Sequence, residues 1–331
     1  MKLVLRMGFE RLTSGLRIKS KLKSRFFLAG NIVKKEKPKH PEVIWITGAS
    51  GFLGQRLVNF LLEETEAYLV CISRDISSKR FSSRHVWATV MDLSSTNSIP
   101  RPELVIHAAT DYGRGDSPKF NTLEANFLFP IRIIEIAGSK LESFIAVDTY
   151  YNKGISPYTY LPHYCTSKRL LIEWLKREYL DLQVTRVFVE HLYGPGDSKH
   201  KFVPKLLQDL SRNSDIDMTQ GNQVRDFIYV DDAAKAIIEV LLLSYVKDTR
   251  YAEYEIGTGE GTSVKDFARI AKAILRSSSE LKFGSLTMRE GEIRASIARS
   301  PLDQGLAWRP KFSIEEGLRE ITSREVGTQK Q

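Results

Sequence analysis

The sequence predicts an α/β fold, a doubly wound parallel sheet with a smaller mixed C-terminal part that binds substrate. Three observations predict it. Apolar runs of strand length alternate with helical patterns from residue 43 to about residue 190. Those runs lack polar alternation, as expected for parallel strands covered on both faces. A glycine-rich turn also stands directly between the first strand and the first helix, where a Rossmann sheet needs it.

The elements follow in order. Residues 1–41 carry 12 Lys/Arg against 2 Asp/Glu, which leaves 37 against 38 for the rest of the 331-residue chain. The net charge of +9 therefore belongs to a basic N-terminal extension. The body is neutral and lacks the basic patch that binding to nucleic acid requires. Within the extension Leu3, Val4, Leu5, Phe9, Leu12, Leu16 and Ile18 lie among spaced Lys/Arg. That spacing suits an amphipathic helix in peripheral contact with a membrane or a transit-like segment. A flexible tail or an upstream start codon stays equally open.

A charged, proline-containing linker at 34–41 places the start of the folded body near Glu42. Strands are predicted at 43–46, 68–72, 86–90, 104–107, 144–147 and 184–189, with a helix over 52–62 after the first. Beyond about residue 195 the pattern turns irregular, with helices near 203–210, 232–243 and 264–275. Residues 42–190 thus read as the dinucleotide-binding domain. Residues 191–331 read as mainly substrate-binding, interleaved with the first and forming a lid over the carboxyl edge of the sheet.

The turn Thr47-Gly48-Ala49-Ser50-Gly51-Phe52-Leu53-Gly54 has the strand–turn–helix context that such a motif requires. Gly48 allows the tight turn, Gly51 lets a pyrophosphate approach the backbone, and Gly54 permits close packing. The helix start adds free N–H groups and positive dipole. At the end of the second strand, where NAD meets an acidic residue, this chain has Ser73-Arg74. A guanidinium beside a hydroxyl suits a 2′-phosphate, so NADP(H) is favoured over NAD(H). Asp75 follows closely, and an ordinary loop arginine with NAD accepted stays open. Asp92-Leu93 after the third strand is placed either to contact the adenine or to make a plain turn.

Tyr164 and Lys168 are four residues apart and share a helix face. A nearby ammonium, together with the positive nicotinamide of an oxidised cofactor, is expected to favour the phenolate and to bring the phenol toward acid/base use near neutrality. Lys168 can also reach a nicotinamide ribose. Alone this pair is common, but order adds weight. The strand at 144–147 ends in Asp148-Thr149, and Tyr164 follows Thr149 by 15 residues. Thr149 can then hold the substrate oxygen beside Tyr164. His107-Ala108-Ala109-Thr110 closes the fourth strand with small residues where a cofactor lies close to the backbone.

With these motifs the chain resembles the extended short-chain dehydrogenases of the sugar-nucleotide epimerase/dehydratase/reductase group over about residues 43–320. The glycine turn, His107–Thr110, Tyr164–Lys168, Tyr193-Gly194-Pro195-Gly196, the Arg225-Asp226-Phe227 segment and Ile256-Gly257-Thr258-Gly259 carry the resemblance. It implies that Thr149, Tyr164 and Lys168 are catalytic. Gly48, Ser50, Gly51, Phe52, Leu53, Gly54, Ser73, Arg74, Asp92, Leu93, Ala108, Ala109 and Thr110 would line the cofactor with Tyr164 and Lys168. Substrate contacts would come from Thr110, Thr149, His191, Arg225 and Arg289, the two arginines holding a pyrophosphate or else forming salt bridges, Arg225 to Asp226. Asp231-Asp232 reads as a helix cap.

Departures narrow the activity. Tyr150-Tyr151 follows Thr149 where dehydratases of the group carry an Asp-Glu pair. The tripeptide and acidic residue of its NAD-dependent 4-epimerases are missing. Asp148-Thr149, residues 110–114 and residues 190–196 resemble the reductases of the CDP-abequose synthase type, although Phe188 stands where a basic residue is expected. The resemblance implies NADPH-dependent reduction of a 4-keto nucleotide-deoxysugar for O-antigen and lipopolysaccharide assembly. An epimerase without net redox and a non-catalytic NADP-binding protein are the rivals. Two irregularly spaced cysteines suggest neither a disulfide scaffold nor a metal site, and point to a reducing cytoplasm. A homodimer is expected by analogy with the fold.

Overall fold

The structure, a computed structural model, describes residues 41–76, 82–95, 98–115, 117–154, 161–244, 247 and 249–328. The expectations for the N-terminal extension lie outside the described residues. The first half runs β1 (Val43–Thr47), α1 (Phe52–Glu64), β2 (Tyr68–Ile72), β3 (His85–Ala88), α2 (Val90–Ser95), β4 (Leu104–His107), α3 (Lys119–Leu123), α4 (Phe129–Ala137), β5 (Ser143–Thr149), α5 (Pro162–Glu178) and β6 (Gln183–Val189). The second runs β7 (His191–Tyr193), α6 (Phe202–Ser211), β8 (Ile216–Met218), β9 (Val224–Arg225), β10 (Phe227–Tyr229), α7 (Val230–Ser244), β11 (Tyr251–Ile256), β12 (Thr262–Ser263), α8 (Val264–Leu275), β13 (Leu281–Phe283), β14 (Ala295–Ser296) and α9 (Ile314–Thr328).

Seven strands form one sheet in the order β11-β6-β5-β4-β1-β2-β3, every pair parallel. Strand side chains alternate between faces, and both faces here are apolar. Ile44 and Ile46 pack with Leu57 and Leu61 of α1 and Ile237 and Leu241 of α7. Val43 and Trp45 face the other way, with Ile133 of α4 and Ile172 and Leu175 of α5. Burial on both sides removes any reason for polar residues in β1, which is why it reads as an unbroken apolar run. The doubly wound prediction holds. β11 comes from the second half of the chain, so the main sheet is built from both.

Two expectations shift. The strand predicted over 86–90 stops at Ala88, and Val90 already begins α2. Thr89 N and Oγ1 both donate to Asp92 Oδ2 at 2.7 Å, and Asp92 N returns a bond to Thr89 Oγ1 at 3.3 Å. This reciprocal box satisfies the first turn of a helix and ends the strand. Asp231 and Asp232 lie inside the first turn of α7 rather than capping it. Asp231 pairs with Arg56 at 3.0 Å, and Asp232 accepts N–H bonds from Lys311 and Phe312 at 2.9 Å.

The smaller part has its own core, in which Tyr193, Phe267 and Tyr229 pack with Leu206 of α6 and Leu318 of α9. Short pairings, β7 with β10, β8 with β13, and β9 between β12 and β14, tie it together. No helix among the described residues is long and apolar enough to cross a membrane.

Candidate active site

A cleft of about 2110 Å³ runs between the carboxyl ends of the sheet strands and the smaller part. Single small-ligand sites occupy about 300–1,000 Å³, so this one has room for two ligands side by side. One end is the glycine turn. Gly48 sits at φ +67°, and a Cβ there would stand 2.6 Å from Ala109 N and 2.9 Å from the Ala108 carbonyl carbon. The turn and the small residues after β4 therefore need each other. A Cβ at Gly54 would fall 2.0 Å from the Gly48 oxygen. Gly51 is the residue before α1, has no side chain to cap the helix, and no acidic residue follows in the first turn. Open backbone N–H groups, positive dipole and no competing carboxylate fit a dinucleotide pyrophosphate.

Next to the turn, the cleft runs past the end of β2. Ser50 Oγ and Ser73 Oγ are 2.9 Å apart, which joins the turn to the end of that strand. Arg74 is exposed and lines the cleft, and among the described residues no carboxylate pairs with it. Asp92 and Leu93 are not brought to the cleft. Asp92 is engaged by Thr89, and Leu93 is fully buried in the core. Thr89, Val90 and Met91 line the cleft in their place.

At the centre, Thr149 and Tyr164 converge, both buried. The Thr149 side chain lies near enough to the Tyr164 phenol to bear on its ionisation, and Tyr112 packs on the Tyr164 ring with centroids 4.8 Å apart. Lys168 is also buried and lies over the Tyr164 ring, and what departs from expectation is the direction in which the phenol is shifted. The Lys168 Nζ donates to the Val147 carbonyl at 2.8 Å and stands 5.6 Å from the centre of the Tyr164 ring. Burial pushes the Tyr164 phenol well above its ordinary range, Tyr112 and Asp148 act in the same sense, and the Thr149 hydroxyl opposes them. Burial lowers Lys168, with Asp148 working against that shift. In the protein alone the phenol holds its proton. A buried phenol beside a fixed hydroxyl can present an O–H to a carbonyl oxygen.

The profile of the NAD dependent epimerase/dehydratase family matches residues 44–257. The chain belongs to that family. It is 31% identical over 286 residues to CDP-abequose synthase of Salmonella muenchen, which spans 85% of this chain and 97% of that protein. A putative UDP-glucose 4-epimerase of Methanocaldococcus jannaschii is 26% identical over 313 residues, 85% of this chain and 97% of that protein. UDP-glucose 4-epimerase of Thermotoga maritima, solved with UDP-glucose, superposes with a TM-score of 0.70 at 24% identity, covering 87% of this chain and all of that one. At that identity the likeness speaks for the fold.

In this epimerase/dehydratase chain the cleft carries further cations, two of them ion-paired, Lys201 with Asp197 at 2.8 Å and Arg225 with Glu292. His191, Arg225 and Arg289 all line it. Burial first, and then Arg225, Lys201 and Arg114, push His191 down to about 3, so its ring is neutral among three cations. Arg225 is buried and pairs with Glu292 instead of Asp226. Asp226 is occupied by the N–H groups of Thr258, Gly259 and Ala298. Arg114, which the sequence offers only within the 110–114 resemblance, and Lys201 join Arg225 in the cleft. Both line the cleft and stand 5.0 and 5.6 Å from the Tyr112 ring centre.

Asn126 is the other residue that sequence reasoning missed. It sits fully buried on a π-helical turn, Glu124–Leu128, between α3 and α4. Its Oδ1 accepts from Thr110 Oγ1 at 3.1 Å and Asp111 N at 2.9 Å. Its Nδ2 donates to the Asp111 carbonyl at 2.9 Å and to Ser167 Oγ at 3.0 Å. Ser167 in turn donates to the Tyr164 carbonyl at 3.0 Å. One amide thus fixes the loop after β4 against the helix that carries Tyr164.

Proposed function

We propose that this chain reduces the 4-keto group of a nucleotide-linked deoxysugar with NADPH, in the manner of CDP-abequose synthase, for surface polysaccharide assembly in the cytoplasm. The observation that carries the reading is the burial of Thr149 against Tyr164 in the same cleft that begins at the Gly48 turn. NADP(H), when bound, supplies the hydride. In this reading the turn from Gly48 to Gly54 holds the pyrophosphate, Ala108 and Ala109 line its path, and Lys168 meets the nicotinamide ribose. Thr149 orients the substrate oxygen, and Tyr164 gives it a proton. The upward push on the Tyr164 phenol supports that role, since an acid must arrive protonated.

The pairing of Ser50 with Ser73 beside the exposed Arg74 supports NADP(H) over NAD(H). The cations around neutral His191, with Arg289, support a dianionic diphosphate on the substrate. Tyr150-Tyr151 after Thr149 speaks against dehydration. Similarity to 4-epimerases keeps a second reading, hydride return without net redox. Self-association as a homodimer through α5 is supported by Leu170 and Trp174, which are 40% and 42% exposed.

The test is a panel of CDP-, dTDP-, GDP- and UDP-linked 4-keto sugars with NADPH. Stoichiometric loss of NADPH and a new sugar alcohol are expected. Interconversion of sugars with no loss of NADPH points to the epimerase instead.

A further inference from the structure

Thr149 and Tyr164 stand on different elements, and one buried cluster joins those elements. Asp148, next to Thr149 on β5, accepts the Thr149 N–H at 2.7 Å and Asn152 Nδ2 at 3.0 Å. Its other oxygen, Oδ2, takes Arg186 Nε at 2.7 Å, with Arg186 Nη2 also at 2.7 Å. Asn152 Nδ2 reaches on to the carbonyl of Cys165 on α5 at 3.1 Å, one residue from Tyr164. Asp148, Asn152, Cys165 and Arg186 are all buried. Arg186 also stands 4.3 Å from the Phe188 ring centre. Arg186 and Phe188, two residues apart on β6, lie on the same face of the strand.

We propose that Asp148, held by Arg186, is a positioning residue that aligns Thr149 with Tyr164 and widens upward the pH range in which Tyr164 keeps its proton. The proposal rests on the reading of Tyr164 as the proton donor.

Asp148 helps buried Lys168 keep its proton, and that ammonium, 5.6 Å from the Tyr164 ring centre, works against the direct effect of the carboxylate on the phenol. The same carboxylate disfavours a phenolate at Tyr164. The other groups facing this pair come from every side. Tyr112, carrying Arg114 and Lys201 over its ring, faces Tyr164 across the cleft. Cys165 lies on the same helix, and His107 on β4 interacts with Lys168. Behind Asp148, Arg186 acts on Lys168 in the opposite sense, and Glu253 and Tyr251 act on Arg186. Glu253 lies 3.3 Å from Arg186.

Two variants test this, Asp148→Asn and the double variant Asp148→Asn with Arg186→Met. The double variant removes both buried charges, so it decides the matter where the single one fails to fold. Two properties of the full chain are read. One is the alkaline limb of kcat/KM for carbonyl reduction. The other is the ultraviolet titration of the Tyr164 phenol, taken as the difference from the matching Tyr164→Phe protein. Both should move to lower pH by about one to two units, with NADPH binding within about twofold. Arg186→Lys, which keeps the cation, should retain the parent profile. A reduced kcat with neither titration moved would mean a merely structural role and would overturn the proposal. If no keto-sugar is reduced even by the parent protein, the functional reading fails on its own, and the phenol titration still decides the part played by Asp148.

Discussion

Alanine at Gly51 and at Gly54 should separate the part of the turn that builds the fold from the part that meets a ligand. At Gly54 the new Cβ would stand 2.0 Å from the Gly48 oxygen and 2.8 Å from Ala49 Cα. Both are backbone atoms, so no rotamer can relieve the contact, and the turn must move by more than about 1 Å to restore ordinary contact. Overpacking of this kind costs about 1–3 kcal/mol. At about 2 °C per kcal/mol for a body of this size, Gly54→Ala should melt about 2–6 °C lower. Its distorted cradle should also bind NADPH more weakly. At Gly51 the backbone is extended, with φ −78° and ψ 175°, and a Cβ meets only the Gly48 oxygen, at 3.1 Å. Gly51→Ala should therefore melt within about 2 °C of the parent, a cost below about 1 kcal/mol. Yet its methyl group stands where a diphosphate must approach the helix start, so NADPH affinity should fall about tenfold or more. Thermal melts and fluorescence titration with NADPH measure both. Full affinity in Gly51→Ala, or an unchanged melt in Gly54→Ala, refutes this division of labour.

Tyr164→Phe should lose turnover by about 10²–10⁴-fold while still binding NADPH, and retained turnover would remove the proton-donor role. Arg74→Asp should raise KM for NADPH far more than KM for NADH, and equal effects in steady-state kinetics would cancel the cofactor preference. His191 is held near 3 in the folded chain against about 6.5 when unfolded. Between those values the unfolded chain binds the extra proton, so the contribution of His191 is complete above about pH 6.5 and is lost as pH falls, by up to about 1.4 kcal/mol per unit. His191→Asn should flatten the decline of Tm between about pH 6 and pH 4, and parallel melting curves for the two proteins would contradict the argument.

Much of the fold is legible because strands buried on both faces leave long apolar runs, as at β1, β2 and β4. The misplaced end of β3 has a visible cause. The Thr89-x-x-Asp92 spacing is itself a helix-start signal, but it sits inside an apolar run and is easily read through. The glycine turn and the Tyr164–Lys168 spacing are local, so they could be read. What spacing cannot supply is which atom a buried group finds. Lys168 shares a helix face with Tyr164, yet its ammonium bonds to Val147 on β5. Arg225 finds Glu292, 67 residues away. Asn126 leaves no periodic trace, because its partners at Asp111 and Ser167 lie in other elements and its own turn departs from α-helical repeat.

β11 closes the main sheet along the outer edge of β6 in a six-residue parallel register. A chain ended after Glu190 would bare that edge of β6, leaving open amide and carbonyl groups along an apolar strand and inviting aggregation. It would also take α7 away from α1, uncovering Leu57 and Leu61. The two walls of the cleft are thus laced together by a strand that returns, and cutting the gene at the apparent boundary near residue 190 would yield two incomplete folds.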